Sequence, residues 1–174
     1  MKNKVFDLYN HTFNHKGFDY DQIDEAVFIG TNMCCQIGFD RELLVKNVKA
    51  DISLEDDRVD APQGVDYFLW LPTKDHEAPT PDKLTLGVYA LEFFASRGVK
   101  VYIHCKHGHG RAPVLFLAYL TKRGMSLDDA MLYLKTRRPG VNLSTAQLEA
   151  LKAYQASLKP NALASAAPTP PTAS

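Results

Sequence analysis

Val99-Lys100-Val101-Tyr102-Ile103-His104-Cys105-Lys106-His107-Gly108-His109-Gly110-Arg111-Ala112-Pro113-Val114 decides how this chain is read. An apolar run over Val99 to Ile103 predicts a strand ending at His104. A second apolar run, Val114 to Leu120, predicts a helix from about Ala112 to Arg123, with Pro113 near its first turn where a missing N–H does little harm. Between them lies a loop with two glycines, opened by Cys105 and closed by Arg111. A strand that turns through such a loop into a helix is suited to hold an oxyanion. Successive N–H groups point inward, the helix N-terminus adds partial positive charge, and the arginine adds a two-pronged donor. A cysteine in that field is expected to ionise more readily than a free thiol, whose pKa is roughly 8.5.

Outward from this stretch, the pattern alternates strands with helices. Ala26 to Ile29, closed by Gly30, predicts a first strand; Val48 to Leu54 and Tyr67 to Leu71 predict two more, with weak helical spacing over Arg41 to Asn47 between them. Leu84, Val88, Leu91 and Ala95 recur at helical spacing over Asp82 to Arg97, with Gly98 to end the helix. Ser126 caps a helix that closes at Pro139-Gly140, and Ser144 caps a last one reaching about Leu158. Residues 1–20 are expected to form an irregular lead-in packed through Phe13, Phe18 and Tyr20, and Phe68, Trp70, Phe93 and Phe94 are expected in the core. The expected domain covers residues 1–159, and the Ala/Pro/Ser/Thr tail 160–174 is expected to be disordered. This order implies an α/β fold: a mainly parallel central sheet flanked by helices on both faces, with the site at the strands' carboxyl ends.

The 174 residues carry 20 Lys and Arg against 20 Asp and Glu, a formal charge of zero. That argues against a nucleic-acid partner held by a broad basic field. No apolar run approaches a membrane span and no signal segment is evident, so the expected location is cytoplasmic. Cys34, Cys35 and Cys105 make an odd, partly adjacent set that does not read as a disulfide framework; Cys34 and Cys35 are read as small packing residues.

Thirty residues before Cys105, Asp75 stands in Leu71-Pro72-Thr73-Lys74-Asp75-His76-Glu77-Ala78-Pro79, a proline-stiffened loop after a neighbouring strand. Such a loop can carry a carboxyl to a leaving group and exclude water, with Glu77 and Asp82 as weaker substitutes. The amides of Lys106, His107, Gly108, His109, Gly110 and Arg111 are the expected phosphoryl-binding donors, and His76 is expected to face solvent or shape its loop. Four ligands at His104, Cys105, His107 and His109 could also be read as a zinc cluster. That reading leaves Gly108, Gly110 and Arg111 without a role. Sulfur transfer on a rhodanese-like loop leaves Asp75 without one. A non-catalytic phosphate-binding module is the rival from another class.

His104-Cys105-x5-Arg111 with the upstream Pro72-x-x-Asp75 loop resembles the cysteine-dependent protein tyrosine phosphatase superfamily, specifically its compact dual-specificity branch. The likeness runs over about residues 20–158. Ile23 through Gly30 is similar to the family's entry strand, Asp51 to Glu55 to its second strand and turn, and Arg138-Pro139, Leu143 and Gln147 to its last helical segment. The resemblance implies Cys105 as nucleophile, Arg111 as transition-state clamp, and Asp75 as general acid and then base. It implies His104 as a loop-ordering residue, and no metal or cofactor. Gln147 is a candidate to place water or substrate; Arg137 and Arg138 are read as complementing the dipole of the helix they end. The implied substrates are phosphoproteins, in a pocket shallower than that of the larger tyrosine-only enzymes. Phosphorylated small molecules or lipid headgroups come next, because the phosphoinositide branch carries Lys at the positions of Lys106 and His109. The Cys-x-His-Gly order also resembles RNA 5′-triphosphatases, which the zero charge disfavours. One departure stands out: Ala112 occupies the place where the family usually has Ser or Thr. That hydroxyl is implied to stabilise the departing sulfur, so phosphoenzyme breakdown is expected to be slow.

Overall fold

The computed structural model describes residues 18–32 and 39–158. Five strands, β1 (Tyr20–Gln22), β2 (Val27–Gly30), β3 (Val48–Ser53), β4 (Tyr67–Trp70) and β5 (Lys100–His104), form one sheet in the order β1-β2-β5-β3-β4. All neighbours are parallel except β1 with β2. Five helices follow in chain order: α1 (Arg41–Val45), α2 (Pro81–Ser96), α3 (Arg111–Lys122), α4 (Leu127–Arg137) and α5 (Thr145–Ser157).

The strands' side chains sort by alternation. Val27, Ile29, Ala50, Ile52, Val101 and Ile103 point to one face and join a core completed by α2 to α5. Phe28, Val48 and Tyr102 point to the other, where Phe39 and Leu43 of the α1 region cover them. A register shift between Val48 and Ala50 explains why two residues a full pleat apart face opposite ways. Both faces are thus covered, one by four helices and the other by a single short one among the described residues. Helix α3 is the centre: every residue from Arg111 to Thr121 is buried, between β2 and β5 below and α2, α4 and α5 around it. Its apolar circumference is what a helix without a solvent face requires.

Three sequence expectations fail here for physical reasons. Tyr20 begins a strand instead of ending an irregular lead-in: Tyr20, Asp21 and Gln22 pair antiparallel with Gly30, Ile29 and Phe28. Three residues without apolar alternation carry no strand signal. Of the aromatic residues expected in the core, only Phe94 is buried; Phe68, Trp70 and Phe93 are 38, 38 and 47 % exposed. Strand β4 is an edge strand, so its side chains have one neighbouring strand to cover them. In α2 the buried stripe passes through Gly87 and Phe94, and Ala95 lies outside it. Phe18 does pack against Tyr20 and Tyr102. Phe13, Cys34, Cys35 and the tail 160–174 lie outside the described residues.

Register sets the location of the site. Gly30 and Ser53 both pair with His104, and Ser53 pairs with Trp70, so four parallel strands end on one line. The loops that leave this line carry Cys105 and Asp75. No helix among the described residues is long and apolar enough to cross a membrane.

Candidate active site

Cys105 follows β5 and is 3 % exposed, at the base of a cleft of about 290 Å³. Asp75, His76, His107, His109, Asn142, Ser144 and Gln147 are among the residues that share the cleft with it. The loop from Cys105 to Gly110 enters α3 at Arg111, so the first orphan N–H groups of a helix buried from Arg111 to Thr121 face this end of the sheet.

The loop's curvature depends on Gly108, at φ +67°. A Cβ there would also lie 2.4 Å from the Gly30 carbonyl oxygen, so this position excludes side chains on two counts. Arg138 fixes the same turn from below. It is 2 % exposed; Nε donates to Gly108 O at 2.9 Å and Nη2 to His107 O at 3.3 Å. Its guanidinium is neutralised by Asp21 at 2.6 Å and Asp19 at 3.0 Å, both from the β1 region. Pinning loop carbonyls outward leaves the amides of the same peptide units free to face inward. Arg138 is therefore a positioning residue, not the dipole-complementing helix end expected of it. Its signal in the sequence, the second of two adjacent arginines before Pro139, does not reveal that Asp19 and Asp21 come to meet it. Arg137 does stay outside, over the Tyr133 ring at 3.7 Å.

Arg111 is 2 % exposed and spans the site. Nη1 donates to Thr73 O at 2.7 Å, and contacts Asp56 Oδ1 at 3.2 Å and Leu54 O at 3.4 Å. Nη2 lies 3.2 Å from Asp75 Oδ1, while Nε has no hydrogen-bond partner among the described residues. The face left for an anion is thus the Nε–Nη2 edge, shared with Asp75. The structure brings together the three residues on which the chemistry was expected to rest. Glu77 and Asp82 do not join them: Asp82 lies in the first turn of α2, and neither lines the cleft.

Beneath the loop, His104 is fully buried and stacked on Tyr102, with ring centroids 5.4 Å apart. Its Nε2 lies 3.3 Å from Asp51 Oδ1 and 3.5 Å from Asp60 Oδ2. Burial pushes the imidazole pKa down, but Asp51 above all, with Asp60 and Glu55, pushes it up and wins. Burial pushes the Asp51 carboxyl up as well. Asp51 and Asp60 are thus partners that sequence reading did not find; a single Asp in an apolar strand was the available signal. His104, Glu55 and Asp60 converge within 4.8 Å, but Arg58 already pairs with both carboxylates. The four-ligand cluster of His104, Cys105, His107 and His109 does not form: His104 is turned into the core, while His107 and His109 are exposed and stack at 6.3 Å.

Lys106 is exposed beside them. Burial lowers the His109 pKa, and Arg138 and His107 lower it further. Ala112 is fully buried in the first turn of α3. Gln147 is 2 % exposed and packs on Gly110, where an added Cβ would lie 3.0 Å from its amide.

The family model for the dual specificity phosphatase catalytic domain matches residues 27–157. The chain belongs to this family. Among curated relatives, mouse protein tyrosine phosphatase type IVA 3 is 34 % identical over 84 residues, 47 % of this chain and 48 % of that protein. The phosphatidylglycerophosphate phosphatase PTPMT1 of Arabidopsis thaliana is 33 % identical over 92 residues, 52 % of this chain and 27 % of that protein. The chain therefore spans half or less of the length of these curated relatives. Among solved structures, PTPMT1 in complex with PI(5)P superposes with a TM-score of 0.69 at 26 % identity, covering 80 % of this chain and 96 % of that one. That superposition over most of the chain agrees with the α/β fold described above.

Proposed function

We propose that this protein hydrolyses phosphomonoesters through a cysteinyl-phosphate intermediate, with phosphotyrosine and phosphoserine/threonine proteins as its first substrate class. One observation carries the reading: Cys105 and Asp75 line the same cleft, and Arg111 ties the two loops together.

The Cys105 thiolate attacks phosphorus, and the bond to the ester oxygen breaks. The loop amides and the Nε–Nη2 edge of Arg111 hold the three equatorial oxygens as charge spreads over them. The leaving oxygen takes a proton from the Asp75 carboxyl. Asp75, now ionised, removes a proton from water; the water oxygen attacks phosphorus, and the S–P bond breaks to return the thiolate and release phosphate. No redox partner or metal enters this balance. A thiol in this role suits a reducing, cytoplasmic setting.

Phosphorylated lipid headgroups are the second reading. The likeness to PTPMT1, and Lys106 and His109 exposed on the loop, favour it. A panel of phosphotyrosine peptide, phosphothreonine peptide and phosphoinositide, each with a Cys105→Ser control, separates the two. The proposal expects the peptides to give the higher kcat/KM. Turnover confined to the lipid would move the assignment to the second reading, and vanadate or phosphate binding without turnover would move it to a binding module.

A further inference from the structure

The loop that carries Asp75 is hydrogen-bonded to the N-terminus of another helix. Ser144 and Gln147 form a capping box on α5: Ser144 Oγ accepts from Gln147 N at 3.2 Å, and Gln147 Oε1 accepts from Ser144 N at 3.0 Å. That arrangement satisfies the helix and leaves two donors over, one hydroxyl proton and one amide N–H pair. Both are spent on the acid loop. Ser144 Oγ donates to His76 O at 2.7 Å, and Gln147 Nε2 donates to Glu77 O at 3.0 Å. These are the two carbonyls immediately after Asp75.

The held segment is strained. His76 sits at φ +62°, a conformation unfavourable for a side chain larger than glycine, and its N–H bonds back to Asp75 Oδ1 at 3.2 Å. Glu77 N closes the turn on Lys74 O at 3.1 Å. Residues 74–77 are otherwise exposed. A strained exposed turn stays in place only if something grips it; Arg111 holds Thr73 O and the Asp75 carboxylate, and α5 holds the two carbonyls that follow. Gln147 also packs on Gly110, so one buried side chain gauges the distance between the acid loop and the phosphate loop.

We propose that the Ser144–Gln147 capping box is the catch that positions Asp75 over Cys105, making Ser144 and Gln147 positioning residues for proton donation. The proposal rests on the phosphatase reading for its kinetic consequence but not for its structural one. Ser144→Gly is the informative variant, because glycine is a tolerable N-cap without a hydroxyl or a charge. Ser144→Thr keeps the donor and should restore the wild-type behaviour.

The experiment measures kcat across aryl and alkyl phosphates of rising leaving-group pKa, in wild type, Ser144→Gly, Asp75→Asn and the double variant. The catch predicts a loss in Ser144→Gly that grows with leaving-group pKa, to roughly tenfold on the poorest leaving groups. It predicts no further loss when Ser144→Gly is added to Asp75→Asn. Equal losses for every leaving group, or losses that multiply in the double variant, would overturn it. Amide exchange at Glu77 is the second readout. It should quicken in Ser144→Gly while β5 and α3 exchange as before, and unchanged exchange at Glu77 would also overturn the catch. A wild type inactive on every phosphomonoester would sink the phosphatase reading alone, and exchange would still decide the catch.

Discussion

The Asp75 carboxylate lies 3.2 Å from Nη2 of Arg111, on the edge of the guanidinium that an incoming phosphoryl group needs. The other terminal nitrogen is committed to Thr73 O, Asp56 and Leu54 O. An anion that enters must displace Asp75 from Arg111, and the displaced carboxyl is left beside the leaving group. Asp75→Asn should therefore separate binding from chemistry. Turnover should fall by roughly 10²–10⁴-fold and the alkaline limb of the pH profile should vanish. Inhibition by inorganic phosphate should strengthen, because the competitor for Arg111 has lost its charge. Weaker phosphate inhibition, or a surviving alkaline limb, would mean that Asp75 has another role.

Arg138 ties the far end of the chain to the phosphate loop through Gly108 O. Arg138→Met leaves that carbonyl and two carboxylates without their donor. Hydrogen bonds to charged groups are worth roughly 1.5–3 kcal/mol, and the exposure of Asp19 and Asp21 puts the loss at the lower end, about 1.5 kcal/mol. The effect on catalysis should be larger, about 10²–10³-fold in kcat/KM, because misaligned amides lose the transition state's charge. Arg138→Lys should rescue little, since a point charge cannot serve the carbonyls and the carboxylates together. Thermal melting beside kcat/KM checks both, and a variant that loses stability but keeps its rate would make the residue structural only.

His104 and Asp51 give the molecule a pH signature. The imidazole pKa is raised above the ordinary 6.5. The folded state therefore holds that proton more tightly than the unfolded chain, and its contribution is full below 6.5 and lost as pH climbs through the folded value. Asp51, also raised, contributes with the same sign at lower pH. His109 is lowered, so its contribution runs the opposite way, but only below 6.5. Above pH 6.5 the melting temperature should fall with rising pH, and Asp51→Asn should flatten that slope. A slope unchanged in Asp51→Asn would remove Asp51 as its cause.

Ala112, fully buried at the start of α3, offers no hydroxyl to a departing sulfur. Ala112→Ser should speed breakdown of the phosphoenzyme by roughly ten- to a hundredfold, the kinetic equivalent of one hydrogen bond to a charged group. Stopped-flow traces should show a burst in the parent that shrinks in the variant. Equal bursts in both would show that breakdown does not depend on this position.

Much of this was legible along the chain because the relevant patterns are local. The strand, loop and helix from Val99 to Leu120 are contiguous, and the Asp75 loop announces itself by its prolines. What was not legible is what comes from elsewhere in the fold. Strand β1 has no apolar alternation, so only its pairing with β2 defines it. Phe68 and Trp70 read as core because sequence does not reveal that their strand is an edge. Arg138 needed Asp19 and Asp21, more than 100 residues away, before its place under the loop made sense. Ser144 was readable as a helix cap, but its hydroxyl proton has a use only once the Asp75 loop lies against it.

Covalent chemistry at Cys105 is open to rapid-quench labelling. Wild type mixed with a phosphoryl-labelled aryl phosphate and quenched in denaturant should carry one phosphoryl group on the peptide containing Cys105. Cys105→Ser should carry no label and turn over no substrate. Unlabelled wild type at full turnover, or a Cys105→Ser variant that still hydrolyses the ester, would rule out a cysteinyl-phosphate intermediate.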